Sequence, residues 1–459
     1  MIFSNYPSVL KPNYIEERNG FFLLIWDFLP HWMVIDKEAY QLITLADGTR
    51  SLKQIVQKIN MENNNQNEQL SQAKTVLKSL KTLGLLKSKE EIMPDTRVRK
   101  DLLENITINI TNMCNLRCKH CYIGNIEKKG NFPLESFKKF VNEASCDGQL
   151  STELNLAVLG GEPLLEKEKT LEIAKFGKLK RYDTIVSTNG LLIDSKFAKQ
   201  ANQNHLTVQV SLEGSTSDVN DPIRGVGTFN KAKTGIKTLV QNQVYTIISM
   251  VVQESNFHDI ENFYHFGVNL GVNEVRYIPL KRMGSAKVNL IPVKKTEILQ
   301  SLHTLVKKYK NAKKYLKRDF YSIMKMTCAH SYITSHCGTG VKTVLIDANG
   351  DVYPCPNHRL PEFNCGNISS GSFKEIWLES PLLMKLRKKY NIETINSECS
   401  NCAVKFWCLG GCRGETYENT NNLTSKAIDC KDMFESIIDT FWILSQEKLH
   451  KYPKKREYF

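Results

Sequence analysis

Residues 106–122 read ITINITNMCNLRCKHCY, and this segment is the strongest indication of the architecture that we expect. It opens with branched residues typical of a short strand, Ile106 to Ile110, and runs directly into Cys114, Cys118 and Cys121. A cubane iron–sulfur cluster has four iron corners and is commonly held by four cysteines. Three thiolates on one loop would therefore leave one iron open to a small molecule.

Five further strand-like runs follow the first, and each pair is separated by room for a helix. The runs are Leu154–Leu159, Thr184–Thr188, Thr207–Leu212, Tyr245–Val252 and Glu274–Pro279. This alternation predicts parallel strands joined by right-handed crossovers, hence an α/β fold with a curved sheet or partial barrel over residues 100–284. In such folds, reactive ligands collect at the carboxyl ends of the strands. A zinc site with His120 as fourth ligand is the alternative reading of the cysteine loop.

Short motifs lie at the ends of the next three predicted strands. They are Gly160-Gly161-Glu162-Pro163, Ser187-Thr188-Asn189-Gly190, and Ser211-Leu212-Glu213-Gly214, the last followed by a D-x-x-R-G pattern from Asp221 to Gly225. In this order and placement, together with the cysteine loop, they resemble the radical S-adenosylmethionine (SAM) superfamily. The resemblance implies a partial (β/α)6 barrel and a SAM-binding [4Fe–4S] cluster on Cys114, Cys118 and Cys121.

The same resemblance implies which residues contact SAM. The expected contacts are Tyr122, Gly160, Gly161, Glu162, Pro163, Ser187, Asn189, Ser211, Glu213 and Arg224. Tyr122 would lie beside the adenine, and Arg224 would pair with the SAM carboxylate, a task suited to a guanidinium fork. Glu213 departs from the Asp that relatives usually have at this point. The sequence names no catalytic acid or base.

A second cysteine series lies nearer the carboxyl terminus and is too long for one metal. Its members are Cys337, Cys355, Cys399, Cys402, Cys408, Cys412 and Cys430. A pair of zinc ribbons is the alternative, but the spacing resembles the SPASM domain, a two-cluster extension of radical SAM enzymes. This implies an inner group, Cys337, Cys355 and Cys412, and an outer group, Cys399, Cys402, Cys408 and Cys430, and three [4Fe–4S] clusters in all.

The inner group is one ligand short, so its fourth position could fall to Cys365, to Cys328 or to a substrate thiolate. Cys146, in a helix of the barrel, is expected to be a small buried hydrophobe.

Residues 1–95 read as a separate winged-helix-like α+β domain. Residues 16–26 and 32–35 favour strands, and three helical segments follow. The arrangement resembles the PqqD-like leader-peptide recognition domain, which implies that a leader peptide adds a strand to the sheet edge. A DNA-binding winged helix is the alternative. The segment's 11 basic and 11 acidic residues argue against it, because phosphate contacts dominate DNA affinity.

Composition and charge limit the classes of partner and the compartment that we expect for the chain. Its net charge of +14 would suit an anionic partner, but the excess falls in Lys runs typical of solvated helix faces, so nucleic acid is not favoured. No apolar stretch reaches the 18 residues of a membrane span and no secretory signal is readable, so we expect a cytoplasmic protein without a membrane partner. Its 13 cysteines then indicate metal thiolates rather than disulfides. A connector over 285–330, a SPASM domain over 331–435 and a tail over 436–459 complete the expected domains.

Together these resemblances point to the maturases of ribosomally made peptides, most closely the subtilosin-type sactipeptide and ranthipeptide enzymes. They imply an oxidoreductase that forms intramolecular links from Cys sulfur to carbon by means of a 5′-deoxyadenosyl radical. The expected partners are a precursor peptide with a leader and a Cys-containing core, and an electron donor such as flavodoxin or ferredoxin. Carbon–carbon or ether cross-linking, epimerisation, formylglycine formation and a zinc-dependent nucleic-acid-binding regulator are the alternatives.

Overall fold

The computed structural model describes residues 6–28, 30–59, 66–86, 102–124, 130–316 and 335–446. These residues form a small antiparallel sheet with helices, a large and mainly parallel sheet flanked by helices, and a C-terminal region of short elements. None of the helices in these ranges is long and apolar enough to cross a membrane.

The amino-terminal sheet has one strand more than its two predicted stretches. Residues 16–26 divide into two strands because Asn19 and Gly20 adopt positive φ angles of 52° and 79°. Asn-Gly is a strong hairpin signal, because the favoured two-residue turn needs positive φ at both positions. The elements of this unit are β1 (Tyr14–Arg18), β2 (Phe21–Trp26), β3 (His31–Ile35), α1 (Lys37–Leu45), α2 (Leu52–Ile59) and α3 (Gln66–Thr82).

The six predicted parallel strands are present and lie side by side in chain order. They are β4 (Leu103–Asn109), β5 (Leu150–Leu159), β6 (Asp183–Thr188), β7 (Thr207–Ser211), β8 (Thr246–Val252) and β9 (Glu274–Pro279). The helices between them are α4 (Leu134–Cys146), α5 (Lys167–Lys180), α6 (Ser195–Gln203), α7 (Ser217–Arg224), α8 (Thr228–Gln241) and α9 (Ile260–Leu270), with 3-10 turns at Pro163–Glu166 and Glu254–Asp259. β8 is buried almost throughout, as expected of a central parallel strand covered by helices.

Polar caps mark where several of these helices begin. Asp36 accepts a hydrogen bond from the backbone N–H of Ala39 (2.8 Å), and Asp194 accepts one from Phe197 (2.7 Å). Cys146, expected to be buried, is exposed, because it is the last residue of α4 and lies at the surface. That prediction was wrong.

The C-terminal region is joined to the barrel sheet by two strands that were not predicted. β10 pairs in parallel with β4, and β11 pairs antiparallel with β10, so the sheet has eight strands. The elements after the barrel are α10 (Ala286–Asn289), α11 (Lys295–Lys308), α12 (Ala312–Tyr315), β10 (Thr343–Ile346), β11 (Val352–Tyr353), α13 (Pro381–Lys389), α14 (Ser397–Ser400), α15 (Lys405–Cys408), α16 (Arg413–Thr420) and α17 (Cys430–Gln446), with 3-10 turns at Pro356–His358 and Pro361–Phe363 and a π-helical turn at Lys374–Leu378.

Helix α17 begins at a predicted cluster ligand, Cys430, and runs through the expected domain boundary at 435/436. Farther along α17, Phe441 stacks on Trp32 of β3 with ring centroids 4.5 Å apart, and its edge meets Trp407 at 5.1 Å. Leu23 and Ile25 of β2 point to the same side as Trp32 and join the main core. The other face of the small sheet packs on α1, α2 and α3. Both faces of the amino-terminal sheet are therefore covered.

Candidate active site at the barrel mouth

The cysteine loop is held against the end of β5 by backbone hydrogen bonds. Gly161 N–H donates to Thr111 O, and Glu162 N–H donates to Met113 O, both at 2.8 Å. A Cβ at Gly161 would overlap the carbonyl of Met113, and one at Gly160, whose φ is 145°, would overlap that of Thr111. Glycine is thus required here for the two loops to meet. The contact of these glycines with SAM stays a prediction.

Cys114, Cys118 and Cys121 are all partly buried on this loop. Burial raises the pKa of Cys118 to about 11 and also raises the pKa of Cys114, and the charge of a Cys121 thiolate would raise both further. Three such thiolates together are unfavourable unless a cation compensates them. The donor set therefore fits a cluster that binds three thiolates at separate iron atoms.

A zinc site would instead need three or four ligand side chains around a single ion. Within the part of the chain that the structure describes, no three His, Cys, Asp or Glu side chains are grouped closely enough to hold one metal ion. His120, the fourth ligand of the zinc alternative, has its Nε2 3.3 Å from Glu213 Oε1 and 3.4 Å from an Arg224 nitrogen.

Glu162 joins the ends of two strands from a buried position. Its Oε1 accepts hydrogen bonds from Thr188 Oγ1 (2.6 Å) and Leu164 N–H (2.9 Å), and its Oε2 accepts one from Asn189 N–H (2.8 Å). The side-chain amide of Asn189, through its Nδ2, in turn donates to Asn115 Oδ1 (2.7 Å) on the cysteine loop. Burial raises the pKa of Glu162, and these donors oppose the rise. Glu162 therefore orders the GGEP and TNG segments around the loop.

Arg224 and Glu213 form a buried ion pair next to the loop. Arg224 Nε and Nη2 both donate to Glu213 Oε1, at 3.0 and 2.7 Å, and Arg224 Nη1 lies 4.0 Å from Cys118 Sγ. Glu213 is 0% exposed, and its Oε2 accepts from Val251 N–H (2.8 Å). Burial raises the pKa of Glu213 to about 7, and Arg224 opposes that rise. Glu213 thus holds the guanidinium of Arg224 in a fixed orientation. Direct contact of either residue with SAM stays a prediction.

Three other predicted contacts lie at strand ends. Ser187, near the end of β6, accepts a hydrogen bond from Gln209 (3.2 Å), and Ser211 ends β7. Pro163 is buried and opens a 3-10 turn that follows β5. The structure thus brings the predicted residues to one edge of the sheet, as expected for parallel strands.

The seven C-terminal cysteines separate into the two predicted groups. Burial raises the pKa of Cys355 to about 12, and Cys412 and Cys337 are the cysteines that contribute to the rise. Burial likewise raises the pKa of Cys408 to about 12. Among the cysteines, Cys402, Cys430 and Cys399 contribute there. Each thiol therefore lies within electrostatic reach of its own predicted partners. Their role as cluster ligands remains a proposal.

Cys365 and Cys328 are the two cysteines of this chain that were expected as a possible fourth ligand of the inner group. Cys365 packs among core hydrophobic residues and lies 3.4 Å from Phe363 O. Its pKa is raised by burial, while Arg387 and Ser380 lower it, and no cysteine is among these influences. Cys328 lies outside the described residues.

Tyr122 and Lys281 lie where the barrel meets the C-terminal region. Burial raises the pKa of Tyr122 to about 12, and among its neighbours are Cys121 of the loop and Cys355 of the inner group. Lys281, two residues after β9, has a raised pKa, because the charges of Cys412, Glu415 and Cys355 outweigh the opposing effect of burial. Sequence reasoning missed Lys281, although a position just beyond the last barrel strand is where ligands collect.

The outer group opens onto a cavity of about 960 Å³. All four of its cysteines line this cavity, together with Tyr14, Glu16 and Arg18 of β1 and residues of α11 and α17. The amino-terminal sheet and the outer group thus share one cavity, which the sequence did not indicate.

Comparison with known proteins agrees with this arrangement. Residues 108–267 match the Radical SAM superfamily, and residues 337–403 match SPASM, an iron–sulfur cluster-binding domain. Over 427 residues, 88% of each chain, the sequence is 26% identical to the antilisterial bacteriocin subtilosin biosynthesis protein AlbA of Bacillus subtilis. It is 27% identical to the mycofactocin maturase MftC of Mycobacterium tuberculosis over 317 residues, 67% of this chain and 77% of that protein.

A solved structure shows the same fold. Streptococcus suis SuiB bound to S-adenosylmethionine superposes with a TM-score of 0.58 and 16% identity, covering 92% of this chain and 100% of that one. The chain thus carries a Radical SAM domain over residues 108–267, followed by a SPASM iron–sulfur cluster-binding domain over residues 337–403.

Proposed function

We propose that this chain modifies a ribosomally made precursor peptide by joining Cys sulfur to carbon in intramolecular thioether links. At the coarser level it is a SPASM-type radical SAM enzyme of the kind that matures peptides or proteins. The finer proposal draws on the similarity to AlbA, named for subtilosin biosynthesis, which spans 88% of both chains.

The observation that supports thioether chemistry most is the inner group. Cys337 and Cys412 are electrostatic neighbours of Cys355, and among the described residues, which do not include Cys328, no cysteine contributes to the pKa of Cys365. A three-cysteine group leaves one iron of a cubane open. Lys281, an electrostatic neighbour of Cys412, provides a cation on this side. We propose that a substrate thiolate completes the group.

The two domains imply SAM and [4Fe–4S] clusters, and we propose one cluster for each of the three cysteine groups. SAM bound at the Cys114, Cys118 and Cys121 cluster supplies a 5′-deoxyadenosyl radical that can take a hydrogen atom from carbon. Arg224, oriented by Glu213, would bind the carboxylate of SAM. Glu162 and its hydrogen-bond donors hold the strand ends in position. The groups that would contact SAM are therefore oriented before the reaction starts.

The proposed link balances as follows. One thiol and one C–H bond lose two hydrogens as the sulfur–carbon bond forms. One hydrogen leaves as an atom on 5′-deoxyadenosine, and the other leaves as a proton, which passes to solvent, and an electron. SAM cleavage consumes one electron from the external donor, proposed to be a flavodoxin or ferredoxin, and the inner cluster would take up the electron released.

The experiment that tests this function is anaerobic co-expression with a short Cys-containing reading frame found beside the gene. Mass spectrometry should show the peptide two hydrogens lighter for each link and a Cys that iodoacetamide no longer alkylates. Carbon–carbon linking would leave the thiol reactive, and epimerisation would leave the mass unchanged, so either result would contradict the proposal. Replacement of Cys114, Cys118 and Cys121 by Ala should abolish 5′-deoxyadenosine and serves as the blank.

We also propose that the amino-terminal unit binds the leader of the precursor along β1. β1 lies at the edge of the three-stranded sheet that the described residues form, and an edge strand offers backbone groups to an added strand. Ile15→Pro removes one backbone donor from this strand and should weaken binding of a fluorescent leader peptide at least about tenfold, the effect of losing about 1.4 kcal/mol. Ile15→Thr, which keeps the donor, is the control. Equal affinity of the two variants would contradict edge pairing.

A further inference from the structure

A buried hydrogen-bonded chain ends on one cysteine of the inner group. His358 Nδ1 lies 3.2 Å from Cys355 Sγ, and His358 Nε2 lies 2.7 Å from the hydroxyl of Tyr390. His358 is 0% exposed and Tyr390 is 1% exposed. Neither residue entered the sequence-based prediction, although His358 follows Cys355 by only three positions.

The direction of this chain follows from what each group can donate. A neutral imidazole carries a single N–H, either on Nδ1 or on Nε2. A cysteine bound to iron is a thiolate and can only accept. The N–H must therefore be on Nδ1 and point to Cys355, and Nε2 must accept from the Tyr390 hydroxyl. Each bond polarises the next in a medium of low dielectric constant.

We propose that His358, oriented by Tyr390, donates a hydrogen bond to the inner cluster's Cys355 sulfur that stabilises the cluster's reduced form and suits it to accept the electron released on thioether closure. The electron-acceptor role rests on the proposed function. The hydrogen bond itself does not. Hydrogen bonds to ligand sulfurs and exclusion of solvent are among the factors that set the potential of an iron–sulfur cluster. His358 and Tyr390 are thus positioning residues, not catalytic ones.

The surroundings of the two groups support this assignment. In the inner group, Cys412 Sγ also receives a hydrogen bond from Asn357 Nδ2 (3.3 Å). In the outer group, the donors that lower thiol pKa values are the backbone N–H groups of Val404, at Cys402, and Gly410, at Cys408. At Cys355 the Thr339 hydroxyl and the backbone N–H of Asn357 also lower the pKa of the thiol. Of these donors, only the side chains can be removed by substitution.

The test is a redox titration monitored by electron paramagnetic resonance, in a background in which Cys114, Cys118 and Cys121 are Ala. The inner signal is the one that Cys355→Ala removes. His358→Phe should shift its midpoint to more negative potential, Tyr390→Phe should shift it less in the same direction, and His358→Gln, which restores an N–H donor, should recover part of the shift. Tyr417→Phe is the matched control, because Tyr417 contacts the same Phe363 ring and bonds Glu362 instead of His358.

Each outcome bears on the proposal. A negative shift in His358→Phe and Tyr390→Phe, with the outer signal and Tyr417→Phe unmoved, supports it. An unchanged midpoint in both variants with intact clusters overturns it. If His358→Phe fails to retain the cluster, Tyr390→Phe, which keeps the ring and its packing, decides alone. Because the potential is measured without substrate, a failure of thioether chemistry leaves this result standing and is recognised separately.

Discussion

The inner and outer cysteine groups come from one region of the sequence but lie in different surroundings. Each group has one buried cysteine, Cys355 in the inner group and Cys399 in the outer group, and the sulfur of Cys355 is in contact with the ring of His358. The other cysteines of both groups are partly buried, but all four cysteines of the outer group line a cavity of about 960 Å³. The inner group also lies beside the barrel mouth, close to Tyr122, whereas the outer group adjoins β1 and α17. Spacing alone assigns ligands, but it does not say which group meets the substrate.

The largest effect that this comparison predicts is for Cys355→Ala. Thioether formation should fall below detection and the iron content should drop by about four atoms per chain, one cubane, while formation of 5′-deoxyadenosine continues. Cys365→Ala removes a partly buried thiol of the same region and should leave iron content unchanged. Iron analysis and product quantification on both variants measure this difference. Loss of iron from Cys365→Ala would mean that Cys365, not the substrate, completes the inner group.

Removal of an outer ligand should act on the product less completely. We expect Cys408→Ala to reduce thioether formation by about 10- to 100-fold, the range seen when supporting shells of metal sites are lost, while SAM cleavage persists. Peptide modification equal to that of the unaltered enzyme would contradict a role for the outer cluster. The midpoint of the inner signal, measured in the same variant, shows whether the two groups act independently.

The packing of α17 predicts that one substitution lowers the free energy of unfolding and weakens iron binding by the outer group but not by the inner group. Phe441→Ala removes a 0% exposed ring that contacts both Trp32 and Trp407, so the free energy of unfolding should fall by about 3 to 5 kcal/mol. Outer-cluster iron should be lost first on heating, because Cys430 begins the same helix. Met384→Ala, at a side chain that is 53% exposed, is the control and should change stability by less than about 0.5 kcal/mol.

The smallest effect concerns the ion pair between β1 and α17. Arg18 Nη1 lies 2.8 Å from Asp439 Oδ1, and the Arg18 side chain is 41% exposed. Solvent screens such a pair, so Arg18→Ala should cost no more than about 1 kcal/mol. A double-mutant cycle with Asp439→Asn measures the coupling between the two residues. A coupling above that value would mean that the cavity shields the pair more than its exposure indicates.

Structural features that depend on residues close together in the sequence were predictable. The loop with Cys114, Cys118 and Cys121 is contiguous, and each strand-end motif follows its own strand, so the barrel and its ligand edge could be inferred. The hairpin at Asn19 and Gly20 was equally local, and its dipeptide signal was overlooked. Cys146 was misjudged because its last-turn position in α4 leaves it at the surface.

Features that depend on distant pairing were not predictable from pattern. β10 joins β4 across more than two hundred residues, and no local signal names its partner. The contact of His358 with Tyr390 and of Lys281 with Cys412 likewise arises only when separate elements meet. The close fit of Gly161 against Met113 gives a familiar motif a structural reason that spacing does not reveal.

The contact between the small sheet and α17 has a consequence for synthesis of the chain. Arg18 and its partner Asp439 are 421 residues apart, so a ribosome adding 5 to 20 residues per second needs roughly 20 to 80 s to make the second after the first. During that interval Leu23, Ile25 and Trp32 have no helix to cover them. A nascent chain therefore exposes this apolar surface until α17 has been synthesised, and holding chaperones should improve its yield.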